Sequence, residues 1–298
     1  MLLIAFEYLI LASTFTVAKK ALSYSPYLFL LTTRFFVGAF LLLGCMQYLG
    51  KAEWKKIWCD RWLFLFAGIL HIYLAFVLEF WSLQYISSAK TSLIYAMTPF
   101  ITAALSYFLY KERLSVFQWI GIFVGTIGMA PIFLTHDSGH FMELLCVSAP
   151  ELALCLAVTS AATAWFVIKA LMARGHHLVV VNGIAMGIGA ILCGGTMMVV
   201  TPRAWQLVSD WQQFWIWLLL LIFLSQIVGY NLYSWLLTRY SMTFMTLCGF
   251  LCPLFSAILG AAFLGESITW NYWFSLGAVL AGLFLFTRVG RGSKSFAN

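Results

Sequence analysis

The feature that most constrains this chain is a succession of apolar stretches with few charges, each about as long as a bilayer is thick. A helical span needs roughly 20 apolar residues. Hydropathy, turn residues and charges place such stretches at 2–22, 27–49, 62–83, 88–110, 115–134, 151–173, 178–200, 214–237, 243–264 and 270–288. Hydrocarbon supplies no water to satisfy backbone N–H and C=O groups, so each stretch must bond internally, which means a helix. Composition agrees, with 63% hydrophobic and only 9% charged residues, against roughly 25% charged in a soluble domain. The predicted class is an all-α integral membrane protein of ten transmembrane helices, with short loops and no soluble domain.

Charge then sets orientation. With the N-terminus inside, twelve basic residues, among them Lys51, Lys55, Lys56, Arg61, Arg174 and Arg239, fall on the inner side. Four, Lys19, Lys20, Lys90 and Arg203, fall on the outer side. Basic residues accumulate in cytoplasmic loops, so both termini are expected in the cytoplasm, and the net charge of +7 reads as a topology signal rather than a nucleic-acid surface. The first stretch has no basic residue before it and Lys19-Lys20 after it, an order that fits a retained span better than a cleaved leader. The seven cysteines form no CxxC pair, so neither a metal site nor a cofactor is expected.

The two halves match at a shift of 154 residues: Trp81 with Trp235, Pro99 with Pro253, Glu112 with Glu266, Trp119 with Trp273 and Gly128 with Gly282. Rare residues agreeing without a gap are poorly explained by shared hydrophobicity. The expected organisation is a five-helix repeat at 1–134, a connecting loop at 135–150, a second repeat at 151–290 and a tail at 291–298. Five spans is an odd number, so the repeats lie inverted in the membrane, the architecture of alternating-access carriers whose site sits near the midplane. Pro99 and Pro253 fall inside the fourth and ninth spans, where each removes a helical hydrogen bond and lets the helix bend beside a cavity.

The segments TSLIYAMTPFITAALSYFLYKERLSVFQWIGIFVGTIGM (91–129) and TFMTLCGFLCPLFSAILGAAFLGESITWNYWFSLGAVLAGLFLF (243–286) resemble the drug/metabolite transporter superfamily, specifically its EamA-type ten-helix carriers. Each has the Pro-containing helix, the small-residue run, the Glu-x-Leu/Ile-Ser/Thr turn and the Gly-rich final helix; the first half carries Lys111 where the second has Gly265. The resemblance covers nearly the whole chain. It implies a secondary carrier of an amino acid or derivative in a bacterial inner membrane, with uptake of S-adenosylmethionine as an alternative. The implied partners are the lipid bilayer, a small-molecule substrate, and either protons or a counter-substrate. Direction of transport and a homodimeric state are left open.

Polar residues inside spans cost several kcal/mol unless paired or facing water, which singles out Arg34, His71, Glu79 and Asn231. Arg34 and Glu79 both lie in the outer third of their spans, level with Lys19, Lys20 and Lys90, and are expected as a pair, either structural or functional. His71 titrates near neutrality when unperturbed and pairs with Ser225 at the repeat shift. Gln226, Tyr230 and Asn231 extend a polar stripe on the eighth span. Tyr73, Tyr95 and Trp165 lie in spans that line the central pathway in the family and are candidates to stack on substrate. Trp81 and Trp235, near span ends, read as interface anchors. Ser148 with Glu151, and Ser115 with Gln118, read as capping boxes, and Gly121-x-x-x-Gly125 and Gly183-x-x-x-Gly187 as helix-packing motifs. An enzyme and a channel are the competing classes. The chain has no GxxxxGK[ST] or HExxH motif and no selectivity-filter sequence.

Overall fold

The computed structural model describes residues 2–48, 53–95, 115–133, 148–241 and 248–265, with isolated positions at 98–111, 244–245 and 273–285. Among these every regular element is a helix. In chain order they are α1 (Leu2–Leu22), α2 (Tyr27–Tyr48), α3 (Trp54–Cys59), α4 (Arg61–Leu83), α5 (Ser88–Tyr95), α6 (Val116–Phe133), α7 (Ala149–Ala173), α8 (Leu178–Val200), α9 (Trp211–Leu237) and α10 (Leu251–Leu264). Six of them, α1, α2, α4, α7, α8 and α9, are long and apolar enough to cross a membrane. At 1.5 Å per residue the 21 residues of α1 span about 31 Å, the thickness of a hydrocarbon core.

These helices are apolar on all sides rather than amphipathic. Large side chains such as Phe36, Phe40, Ile191 and Val199 point outward, as lipid permits, while the polar residues are turned inward: Glu7, Arg34, His71, Glu79, Asn182 and Gln226 are all buried. Close packing depends on small residues. Gly183 of α8 meets Leu42 and Leu43 of α2. The Gly121–Gly125 stretch of α6 lies so close to Gly282 that a β-carbon there would sit 2.6 Å from the Gly121 carbonyl oxygen. Both small-residue motifs therefore pack helices. The two capping boxes also form: the Ser148 N–H donates to Glu151 Oε2 at 2.7 Å, and Ser115 N–H to Gln118 Oε1 at 2.8 Å.

Two of the long helices change pitch in mid-span. Gly68–Leu74 of α4 and Ile222–Gly229 of α9 are π-helical, and their first residues, 68 and 222, differ by 154. Such wide turns are rare and cluster at functional sites. The left-handed turn after each small-residue helix recurs at the same shift, with Lys111 at φ 54° and Gly265 at φ 70°. The lysine thus adopts a backbone shape that a β-carbon disfavours. Pro253 stands in the first turn of α10, behind a break at Gly249–Phe250 that separates α10 from the helical residue Cys248. Its ring cannot donate to the Gly249 carbonyl, which instead accepts from Cys252 N at 2.9 Å. Pro99 lies outside the described residues.

Candidate functional site

The break, the two π-helical stretches and α1, α2, α5 and α7 surround one cavity of about 150 Å³ deep in the bundle. Its polar wall consists of Arg34, Glu79, His71, Ser225 and the hydroxyls of Tyr95 and Tyr230; Phe15, Phe76, Trp165 and Tyr233 supply aromatic faces.

Arg34 is 1% exposed. Its Nη2 donates to Ser225 Oγ at 2.7 Å, and its guanidinium carbon lies 4.8–5.4 Å from the ring centres of Phe35, Phe76 and Phe80. Rings stabilise the planar cation through their quadrupoles, but they carry no counter-charge, and among the described residues Arg34 Nε has no hydrogen-bond partner. Gln226 steadies the helix behind it, donating Nε2–H to the Arg34 carbonyl at 3.1 Å. Ser225 and Gln226 reach α2 because the wide turn of α9 turns both toward it.

Glu79, two turns beyond His71 on α4, accepts a hydrogen bond from Tyr95 Oη at 2.6 Å. The expected ion pair with Arg34 does not form. Both groups line the same cavity and act on each other electrostatically, but Arg34 bonds to α9 and Glu79 to α5, so each charge remains open to the cavity. The proposed outer cluster is likewise dispersed, since Lys19 Nζ donates to the Ile86 carbonyl at 3.0 Å and Lys20 borders an outer groove between α1, α9 and α10.

His71 is buried, and among the described residues neither ring nitrogen has a hydrogen-bond partner. Its ring centre lies 4.5 Å from that of Trp165 and 5.1 Å from that of Tyr230. His71 and Ser225, paired at the repeat shift, both reach the cavity. Tyr95, Trp165 and Tyr230 line it as well. Three expected residues do not. Tyr73 turns toward α8, where its hydroxyl meets Thr196 Oγ1 at 2.8 Å. Gln226 stays behind Arg34. Asn231 joins α9 to α8, accepting from Asn182 Nδ2 at 3.2 Å and donating to the Ile227 carbonyl at 2.8 Å. A helical stripe points to one side, but only the pitch change in α9 decides where along it the cavity-facing side falls.

Tyr8, Phe15, Phe76 and Tyr233 reach the cavity without having been singled out by sequence. The legible signal for Tyr233 was its place one turn after Tyr230; for Tyr8 it was a polar tip beside Glu7 in the apolar first half of the first span. Away from the cavity, Asp60 links the α3–α4 junction to the α7–α8 turn. It accepts from Arg174 Nη1 and contacts His176 Nε2 at 2.7 Å. These hydrogen bonds, first from His176 and then from Arg174, hold its carboxyl below the usual carboxylate range.

The EamA-like transporter family model matches residues 1–134 and 149–288. A protein of Chlamydia muridarum named as an S-adenosylmethionine/S-adenosylhomocysteine transporter is 26% identical over 276 residues, 91% of this chain and 86% of that one. A protein of Chlamydia trachomatis serovar L2 with the same name is 27% identical over 277 residues, 91% of this chain and 84% of that one. The uncharacterized transporter YvbV of Bacillus subtilis is 28% identical over 140 residues, 47% of this chain and 45% of its own. A solved crystal structure superposes with a TM-score of 0.69 over 98% of both chains at 19% identity, which speaks for the fold alone. The chain is a multi-pass membrane protein and belongs to the EamA-like transporter family of the drug/metabolite transporter superfamily.

Proposed function

We propose that this chain is a secondary carrier that moves S-adenosylmethionine, in exchange for S-adenosylhomocysteine or coupled to protons, across a bacterial inner membrane by alternating access. One observation carries the reading: Arg34 and Glu79 face a single aromatic-walled cavity without forming an ion pair with each other. A buried cation and a buried anion left apart suit a substrate that carries both signs. In this reading Arg34 takes the α-carboxylate through its planar guanidinium, and Glu79 an ammonium or sulfonium. The rings of Phe15, Phe76 and Trp165 offer stacking surface to an adenine and cation–π attraction to the sulfonium. A plain amino acid, the other reading, would use the two charges but leave much of the aromatic wall without a partner. The names borne by the chlamydial relatives favour the adenosyl compound.

The carrier architecture is ten spans in two inverted repeats, 1–134 and 151–290, with both termini cytoplasmic. The separate family matches to the two halves support it, as do the recurrence of the π-helical stretch and the left-handed turn at a shift of 154 residues. In this scheme the wide turns of α4 and α9 are the flexible points facing each other across the cavity. Counterflow in proteoliposomes tests the substrate. Vesicles preloaded with S-adenosylmethionine should take up labelled S-adenosylmethionine and S-adenosylhomocysteine, and a panel of free amino acids should not compete. Competition by amino acids alone would reverse the assignment.

A further inference from the structure

Glu7 is a buried acid that the cavity does not use. It lies on α1, 0% exposed, and among the described residues neither carboxylate oxygen has a hydrogen-bond partner. It does not line the cavity, but its chain neighbour Tyr8 and Tyr233 do, and both act on Glu7 electrostatically. Their rings meet edge to face at 6.5 Å. Behind Glu7 the wide turn of α9 ends at Gly229, where an added β-carbon would lie 3.8 Å from Glu7 Oε1. The carboxyl thus sits against the end of the α9 wide turn.

The titratable groups facing Glu7 from the helices packed around it are Tyr8 of α1, Tyr233 of α9 and Cys252 of α10, with Cys248 bordering the same tyrosines. Among the described residues no lysine, arginine or histidine faces it. An ionised carboxylate with neither counter-charge nor donor is among the costliest groups to bury. The neutral acid is the form this pocket can hold.

We infer that Glu7 is the proton-binding site of this carrier, loaded in the conformation described here and unloaded when movement at the α9 wide turn admits water. In chemical terms, a proton from water on one side converts the Glu7 carboxylate to the acid. After the conformational change the acid returns that proton to water on the other side, past the Tyr8 and Tyr233 hydroxyls. The inference rests on the transport reading above and adds the coupling ion and its residue.

The test uses purified full-length protein in liposomes, with the membrane potential clamped to zero and labelled S-adenosylmethionine as the probe. If one proton moves per substrate, a one-unit pH step of the effective sign drives about tenfold accumulation in the wild type. Glu7→Gln, the neutral isostere, should bring that ratio to about one while leaving counterflow at equal pH within about twofold of wild type. Glu7→Asp should restore gradient-driven accumulation. Full accumulation by Glu7→Gln overturns the inference, and so does loss of counterflow together with accumulation in monodisperse protein. If Glu7→Gln does not fold, the absence of any gradient response in Glu7→Asp overturns it. If the wild type shows no counterflow of S-adenosylmethionine, the substrate reading fails by itself. Glu7 is then read by infrared spectroscopy, where a protonated-carboxyl band in the wild type must disappear in Glu7→Gln; its absence from the wild type overturns the inference.

Discussion

Arg34 is buried among three phenylalanine rings, and among the described residues its side chain bonds to one hydroxyl and to no carboxylate, an arrangement that is costly unless something negative arrives. A lysine cannot reproduce the planar stacking. Arg34→Lys should therefore raise the apparent KM for S-adenosylmethionine by about tenfold or more, equivalent to 1.4 kcal/mol, while the protein stays monodisperse; near-wild-type counterflow would show that only the charge matters. Glu79→Gln should weaken S-adenosylmethionine by about tenfold and S-adenosylhomocysteine, which lacks the sulfonium charge, by less. Equal losses in paired counterflow assays would remove Glu79 from sulfonium recognition. Arg34 and Glu79 were legible in the sequence because charge inside an apolar span is conspicuous. That they share a cavity without pairing was not, because their separation depends on which neighbour each side chain reaches.

Among the elements, the wide turns and the tight turns make the sharpest claims. Lys111 takes the left-handed backbone that Gly265 takes in the second half. Lys111→Gly should stabilise the detergent-solubilised protein by about 0.5–1 kcal/mol, the strain relieved less the extra freedom of the unfolded chain, which thermal unfolding would measure. Gly189 packs against the wide turn of α4, where a β-carbon would lie 2.1 Å from Ile72 Cγ2. Gly189→Ala should thus cost about 1–3 kcal/mol through overpacking. At the α3–α4 junction, Asp60 is held by His176 and Arg174 with its carboxyl depressed. A depressed folded value means the contribution is fully present above the unfolded carboxylate value, about 3.9, and is lost as pH falls through the lower folded value. Because the carboxyl is close to solvent, the effect should be about 1 kcal/mol or less. Comparing the acid limb of stability in wild type and Asp60→Asn would check it.

At the scale of the whole molecule, the repeat makes a topological claim. Reporter fusions active only in the cytoplasm should work at both the N- and the C-terminus, and a fusion in the loop at 135–150 should be silent if the repeats are inverted with five spans each. Activity there would remove the inverted arrangement. The bounds of the long helices agree with the hydropathy reading to within three residues, for instance 214–237 expected against Trp211–Leu237 observed. The conversion of α4 and α9 to wide turns was invisible to hydropathy. A π-helical turn uses the same apolar residues as an α-helical one, and only the backbone register differs.

The sequence alone determined that the chain lives in lipid, where its long described helices begin and end, and which family it resembles; it also supplied the 154-residue match behind the proposed repeat. All of these follow from local properties, namely hydropathy, turn residues, basic loops and the spacing of rare side chains. The tertiary structure decided which polar residues meet. A residue's direction in a bundle depends on helix rotation and pitch, and the two wide turns alter both. They bring Ser225 to Arg34, turn Tyr73 and Asn231 away from the cavity, and leave Glu7 enclosed beside Gly229 without a partner.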